Sequence, residues 1–313
     1  MTTTAAGAKP ALMIHDGGTG RELKRSGAPF RQPEWSALAL IEGPHFVSRV
    51  HRSYVEAGAD LISTNSYAVV PFHIGEERFA SDGARLAALA GRLAREVADS
   101  AGRQVWVAGS LPPICGSYRA DWFDAEFSRP ILKTLVDALR PSVDIWLAET
   151  LSAIAEARLV REVLGGTDPK PLWLSFTLED GRAEAGKPRL RSGEPVGEAV
   201  KTALELGAAA VLFNCSQPEV MADAVDAARA VLTAAGRAGA DGVRVGVYAN
   251  AFVPQRVDAQ ANSGYTEVRA DLDPPGYLQW AADWVSRGAS VVGGCCGIGP
   301  EHIAELSKRL PRV

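Results

Sequence analysis

Short apolar runs alternate with longer amphipathic stretches eight times along this chain. The runs fall at residues 11–15, 60–63, 104–108, 143–148, 172–176, 209–213, 243–247 and 289–292. Most are continuously apolar, the pattern of parallel strands covered on both faces. Between them the spacing turns helical. Gly43-Pro44 opens a segment in which Phe46, Val47, Val50, Tyr54 and Val55 share a face, with His51 read as solvated, and Gly58 ends it. Residues 84–100 place Leu86, Leu89, Leu93 and Val97 on one side. Ser152 is expected to cap a helix carrying Ile154, Leu159, Val160, Val163 and Leu164, stopped by Gly165-Gly166. Pro300 suits the first turn of a closing helix that turns Ile303, Leu306 and Leu310 inward, with His302 at its start. Tyr277, Trp280 and Trp284 recur at helical spacing and read as packing of a helix on the sheet. Eight strand–helix units predict a single-domain (β/α)8 barrel over 1–313, with a doubly wound open sheet as the alternative. Stretches 181–197 and 252–275 read as long loops after the fifth and seventh strands.

Composition changes this picture little. Apolar residues at 47% and charged residues at 22% of 313 are ordinary globular values. A net charge of −4, with no basic run, removes nucleic acid as an expected partner. No stretch approaches 18 consecutive apolar residues, and residues 1–10 lack a charged-then-apolar leader, so neither a membrane span nor a secretory signal is expected. Four cysteines, two of them adjacent, do not form a disulfide framework, and a reducing cytoplasm is the expected setting.

Candidate chemistry gathers where the apolar runs stop, which in a barrel is the reactive face. Those ends carry Asp16-Gly17-Gly18, Thr64-Asn65-Ser66, Gly109-Ser110, Glu149-Thr150, Thr177, Asn214-Cys215, Asn250 and Gly293-Gly294-Cys295-Cys296-Gly297. Three thiolates from two strand ends make a soft, nearly complete tetrahedral set with one open position, which zinc favours. Adjacent cysteines on a strand point to opposite faces unless the backbone turns, and the flanking glycines supply that freedom. A packed core role for Cys215 and a vicinal disulfide between Cys295 and Cys296 are the alternatives. Asp16 reads either as a turn cap or as a site carboxylate. Glu149 closes a buried strand, an unusual place for a carboxylate without a purpose. Two carboxylates across the mouth would suit an ammonium group. His15, His45, His51, His73 and His302 are scattered and support no histidine metal site, and Cys115 reads as structural. Residues 181–187 begin like a phosphate-binding loop, but Pro188 stands where Ser or Thr is required.

Taken in order over nearly the whole chain, these pieces resemble the homocysteine S-methyltransferase family. They are Asp16-Gly17-Gly18, Ala57-Gly58-Ala59-Asp60 with Thr64-Asn65-Ser66-Tyr67, Gly109-Ser110-Leu111-Pro112-Pro113 with Ser117-Tyr118-Arg119, Glu149-Thr150, Asn214-Cys215 and Gly293-Gly294-Cys295-Cys296-Gly297. The resemblance implies a zinc-dependent (β/α)8 barrel that moves a methyl group onto the sulfur of homocysteine, giving methionine. It implies Cys215, Cys295 and Cys296 as zinc ligands, Asp16 and Glu149 as the grip on the amino group, and Thr64 as a further substrate contact. Asn214 matches a substrate-side position beside the first ligand, where it is expected to support that ligand from behind by hydrogen bonding. Arg21 stands where many members have Thr, and Ala249-Asn250-Ala251-Phe252 replaces the commoner Pro-Asn-small-Gly. Both departures bear on donor and acceptor identity more than on the metal. The chain has no length for added cobalamin or folate domains, so the expected donor is a small sulfonium, S-methylmethionine or S-adenosylmethionine, with a betaine-type donor as rival. Alternatives are a thiol redox or metal-sensing protein using Cys295-Cys296, a zinc hydrolase, and a methyltransferase for a related selenol or thiol.

Overall fold

The computed structural model describes residues 11–181, 184–253 and 267–311. Eight parallel strands form one sheet: β1 (Met13–Ile14), β2 (Leu61–Ser63), β3 (Trp106–Leu111), β4 (Ile145–Leu151), β5 (Leu172–Phe176), β6 (Ala210–Asn214), β7 (Arg244–Tyr248) and β8 (Val291–Val292). Their order is β1-β8-β7-β6-β5-β4-β3-β2. A parallel bridge from His15 to Leu61, with Asp16 N–H donating to Leu61 O at 3.0 Å, brings β1 against β2. The result is a (β/α)8 barrel, and the open sheet is excluded.

The apolar runs build two cores. Leu61, Ala108, Ile145, Leu147, Trp173, Leu212 and Val291 fill the barrel interior, while a much larger cluster lies between strands and helices. This double covering is why the strands read as continuously apolar. Both β1 and β8 are shorter than their apolar runs, and glycine-mediated crossings follow each of them. A Cβ on Gly18 would lie 2.5 Å from Cys295 O, and one on Gly294 would lie 2.1 Å from Ile298 Cγ2. Only glycine permits that approach.

Three helix readings change. In Pro44–Glu56, His51 is fully buried, not solvated. It lies one turn from both Val47 and Val55, so it belongs to the inward stripe. Burial holds its pKa down to about 4. Ser152 is not the cap of Ile154–Leu164: Ala153 takes that place, and the Glu156 carboxylate folds back to accept from Ser152 N–H (2.6 Å) and Ala153 N–H (2.9 Å). The helix Glu76–Asp99 begins well before residue 84, with Glu76 and Glu77 complementing its N-terminal dipole. Of the two long loops, 181–197 is braced by bridges from Leu178 to Leu190 and Arg189 to Pro195, with residues 182–183 outside the described residues. Residues 254–266 of the second also lie outside them, and the helix Pro274–Arg287 already begins within the span read as loop.

Candidate active site

The carboxyl ends of the strands open into a cavity of about 810 Å³ lined by Asp16, Thr64, Glu149, Cys215, Cys295 and Cys296, among others. On one side stand the carboxylates. Asp16 Oδ2 accepts from Ser63 N–H at 2.9 Å, and His15 Nε2 lies 3.1 Å from Asp16 Oδ1 and 2.8 Å from Ser63 Oγ. Glu149 accepts from the Ser110 hydroxyl and from Tyr248 O–H, the latter at 3.1 Å. It sits where the β4–β5 register shifts between Ala148 and Leu151, an irregularity of the kind that re-aims a side chain. Burial raises the pKa of both carboxyls, well above the ordinary value for Asp16, to which the Glu149 charge adds. Burial also holds His15 down to about 3, so this imidazole is neutral. Two desolvated acids facing one cavity are stabilised by a cation placed between them. Thr64 Oγ1 accepts from Ser110 N–H at 3.0 Å and pairs with Ser66 Oγ at 2.8 Å, which fixes the Ser110 partner of Glu149.

On the other side stand the sulfurs. All three Sγ atoms lie within 4.8 Å of one another. Cys215 adopts φ +52° and Thr150 φ +62°, left-handed conformations that β-branched and bulky residues avoid. Asn214 pins both. Its Oδ1 accepts from Thr150 N–H (3.0 Å) and Ser175 Oγ–H (2.7 Å), while its Nδ2 donates to Thr150 Oγ1 (2.9 Å). Asn214 is therefore not among the cavity-lining side chains; it ties the Glu149 turn to the Cys215 turn. The turn after β7 does the same for the second pair, with Cys295 N–H donating to Ala249 O (2.9 Å) and Ala251 N–H donating to Cys296 O (2.8 Å).

A tetrahedral ion with bonds of about 2.3 Å to sulfur needs ligands roughly 3.8 Å apart, a separation this cluster reaches by small side-chain rotations. Cys215 and Cys295 are joined as a disulfide with Cα atoms 5.7 Å apart, so their sulfurs are open to a metal only once reduced. Cys296 carries a free thiol, so the vicinal pairing is not formed. Burial pushes the Cys296 thiol up to about 11, with the Arg21 charge acting in the opposite sense. Such a thiol is protonated at neutral pH, and a bound cation is what converts it into a thiolate. Asn250 Nδ2, fully buried in the turn that holds both cysteine segments, has no hydrogen-bond partner. The donor set fits a soft divalent metal.

Sequence reasoning missed part of the lining. Tyr67, whose hydroxyl meets Ser117 Oγ at 2.5 Å, lines the cavity with Tyr118, Trp35, Phe30 and His73. Trp35 lies 5.9 Å from Phe30 and 6.4 Å from His73, ring centre to ring centre, forming an aromatic wall on the β2 side. Tyr248 ends an apolar strand and carried no signal beyond its position next to Ala249-Asn250. Cys115 stays outside the cavity, 3.5 Å from Ser128 Oγ.

A closed parallel barrel whose mouth joins a thiol cluster to two buried carboxylates defines an enzyme built to handle a soft nucleophile on an amino-bearing substrate. The profile of the homocysteine S-methyltransferase family matches residues 13–310, and the chain belongs to that family of methyltransferases. It is 29% identical to homocysteine S-methyltransferase of Escherichia coli (strain K12), across 96% of each chain. It is 27% identical to selenocysteine methyltransferase of Astragalus bisulcatus, across 94% of this chain and 91% of that protein. Among solved structures it resembles the metallated homocysteine methyltransferase MmuM of Escherichia coli, with a TM-score of 0.75, 26% identity and coverage of 96% and 97% of the two chains.

Proposed function

We propose that this protein transfers a methyl group from a small sulfonium donor, S-methylmethionine or S-adenosylmethionine, to the thiol of homocysteine, forming methionine, with Cys215, Cys295 and Cys296 holding zinc. The observation that carries this reading is the convergence of three sulfurs from distant strand ends beside two buried carboxylates. Zinc bound there supplies the charge that keeps the acceptor sulfur deprotonated at neutral pH. The chain's own side chains do the rest. Asp16 and Glu149 bind the acceptor ammonium and become stably ionised in doing so, because that cation offsets the burial that raises their pKa. Ser110, Tyr248 and the neutral His15 hold the two carboxylates in place, so the acceptor arrives oriented and little entropy remains to be lost on the way to attack. The wall of Trp35, Phe30 and Tyr67 offers π faces to a positively charged donor and keeps water from it. No proton has to be removed at the methyl carbon, so no histidine base is required there. The thiols require a reducing compartment, and the cytoplasm supplies one; no described helix is long and apolar enough to cross a membrane.

Reduced, zinc-loaded protein incubated with homocysteine and each candidate donor in turn should yield methionine with one zinc per chain. Zinc-replete protein that forms none with any sulfonium or betaine donor rejects the proposal. Selenocysteine as acceptor in parallel tests the chemistry named for the Astragalus relative.

A further inference from the structure

Four non-glycine residues among those described adopt left-handed backbone conformations, and all four line the cavity: Trp35 (φ +50°), Tyr118 (φ +68°), Thr150 and Cys215. Such strain persists where the surroundings over-determine it, and it gathers at functional sites. Asn214 accounts for Thr150 and Cys215. Tyr118 is held by other means. The Arg191 guanidinium lies over its ring, with the guanidinium carbon 5.1 Å from the ring centre. Arg191 is fixed in turn by Asp180 at 2.8 Å, an ion pair whose two side chains are buried, and Asp180 Oδ2 accepts from Gln217 N–H at 3.1 Å. The loop after β5 thereby clamps the Tyr118 ring to the turn that carries Cys215. The hydroxyl of that ring is left unused. Tyr67 beside it meets Ser117 Oγ, whereas no described residue hydrogen-bonds to the Tyr118 hydroxyl. None of the carboxylates lining the cavity, Asp16, Glu22, Glu149, Glu267 and Glu301, accepts from it.

We infer that Tyr118 donates a hydrogen bond to the sulfur of the acceptor and is a specificity-determining residue for the transfer; this rests on the methyl-transfer reading above. The hydroxyl belongs to the sulfur side of the cavity. Burial raises its pKa well above the ordinary value, and Cys296 is the charge that adds most to that rise, so the group stays protonated and able to donate. A cation on the ring face draws density from the oxygen, which makes the hydroxyl a better donor than acceptor. With the acceptor ammonium held by Asp16 and Glu149, the acceptor sulfur is the anion that arrives beside Cys296. A hydrogen bond to an ionised acceptor is roughly twice as strong as one between neutral groups. A site built to bond a substrate group rejects ligands that lack it. Two rival partners for the hydroxyl are the acceptor carboxylate and Cys296 itself.

The test compares zinc-loaded wild type with Tyr118→Phe, which keeps the ring under Arg191 and removes only the hydroxyl, and follows binding by calorimetry. Three probes separate the possible partners. Homocysteine carries sulfur, ammonium and carboxylate; aminopropanethiol lacks the carboxylate; methionine has a neutral sulfur, a weak acceptor. Tyr118→Phe should weaken homocysteine and aminopropanethiol by the same factor, roughly 10-fold or more, with methionine affinity and zinc content unchanged. Weakening of homocysteine alone overturns the inference, because the hydroxyl then serves the carboxylate. Equal weakening of all three overturns it as well, and so does unchanged binding of both thiols. Loss of zinc assigns the hydroxyl to Cys296 and likewise overturns it. Methionine formation measured alongside separates the two claims. Transfer without a Tyr118-dependent thiol affinity sinks only this inference. That affinity without transfer from any donor sinks the methyl-transfer reading and leaves Tyr118 as a thiol-binding residue.

Discussion

The carboxylate side and the sulfur side of the barrel mouth are held in place by different means. Asp16 and Glu149 are positioned mainly through side chains: His15, with the Ser63 N–H besides, on one, and Ser110 and Tyr248 on the other. The cysteines are positioned through the main chain, by Cys295 N–H on Ala249 O, Ala251 N–H on Cys296 O and Cys215 N–H on Tyr248 O. Asn214 and the turn after β7 reinforce that backbone. A carboxylate held by hydroxyls can be detuned by changing a neighbour, so its grip is graded. A sulfur held chiefly by main-chain hydrogen bonds is less sensitive to its neighbours' side chains, Asn214 excepted, and fails outright when the cysteine itself is changed. Binding of the acceptor should therefore be adjustable, and metal binding nearly all-or-none.

The largest effect should come from the sulfur side. Cys296→Ala is expected to lose zinc and methyl transfer together, a fall of about a thousandfold or more in kcat/KM if the metal contributes several kcal/mol. Zinc analysis beside the assay checks it, and a variant that keeps its zinc breaks the contrast. On the carboxylate side, Glu149→Gln should raise the acceptor KM by about 100-fold while zinc stays bound, because an ammonium then meets a neutral amide. Tyr248→Phe should do the same by about tenfold through loss of one hydrogen bond to that carboxylate. Metal loss in either variant would show that the two sides are not separable.

The smallest effect lies outside both. Burial holds His51 at about 4, against an ordinary 6.5. A base whose folded pKa is depressed contributes its full stability above the unfolded value and loses it as pH falls, because the unfolded chain takes up the proton first. Stability should therefore decline from about pH 6.5 toward pH 4. His51→Leu should flatten that slope by up to about 1.4 kcal/mol per pH unit. Urea midpoints at neutral and acidic pH measure it, and an unchanged slope rejects the assignment.

Strand positions were readable from sequence because burial on both faces writes itself as unbroken apolar runs, and the barrel followed from their number. The cysteines and carboxylates were readable because each closes such a run. His51 was misread because a polar residue type outweighed its helical position. Ser152 was misread because the long Glu156 side chain reaches the helix start that a serine usually serves. Tyr248 could not be found, since a tyrosine ending a strand looks the same whether or not its hydroxyl has a task. Asn214 was read as a substrate-side residue beside Cys215, but only coordinates reveal that its amide links two left-handed turns instead of facing the cavity.

The seam between β1 and β8 has a consequence for biogenesis. Gly18 N–H donates to Ile298 O and Gly294 N–H donates to Asp16 O, both at 2.9 Å, so segments from opposite ends of the described chain interlock directly beneath the sulfurs. Contacts of such long sequence separation are the slowest to form. The sulfur cluster is therefore expected to come together late in folding, and a partly folded molecule would carry its thiols apart. On the proposed zinc reading, metal occupancy in a purified sample would double as a gauge of how many molecules have finished folding.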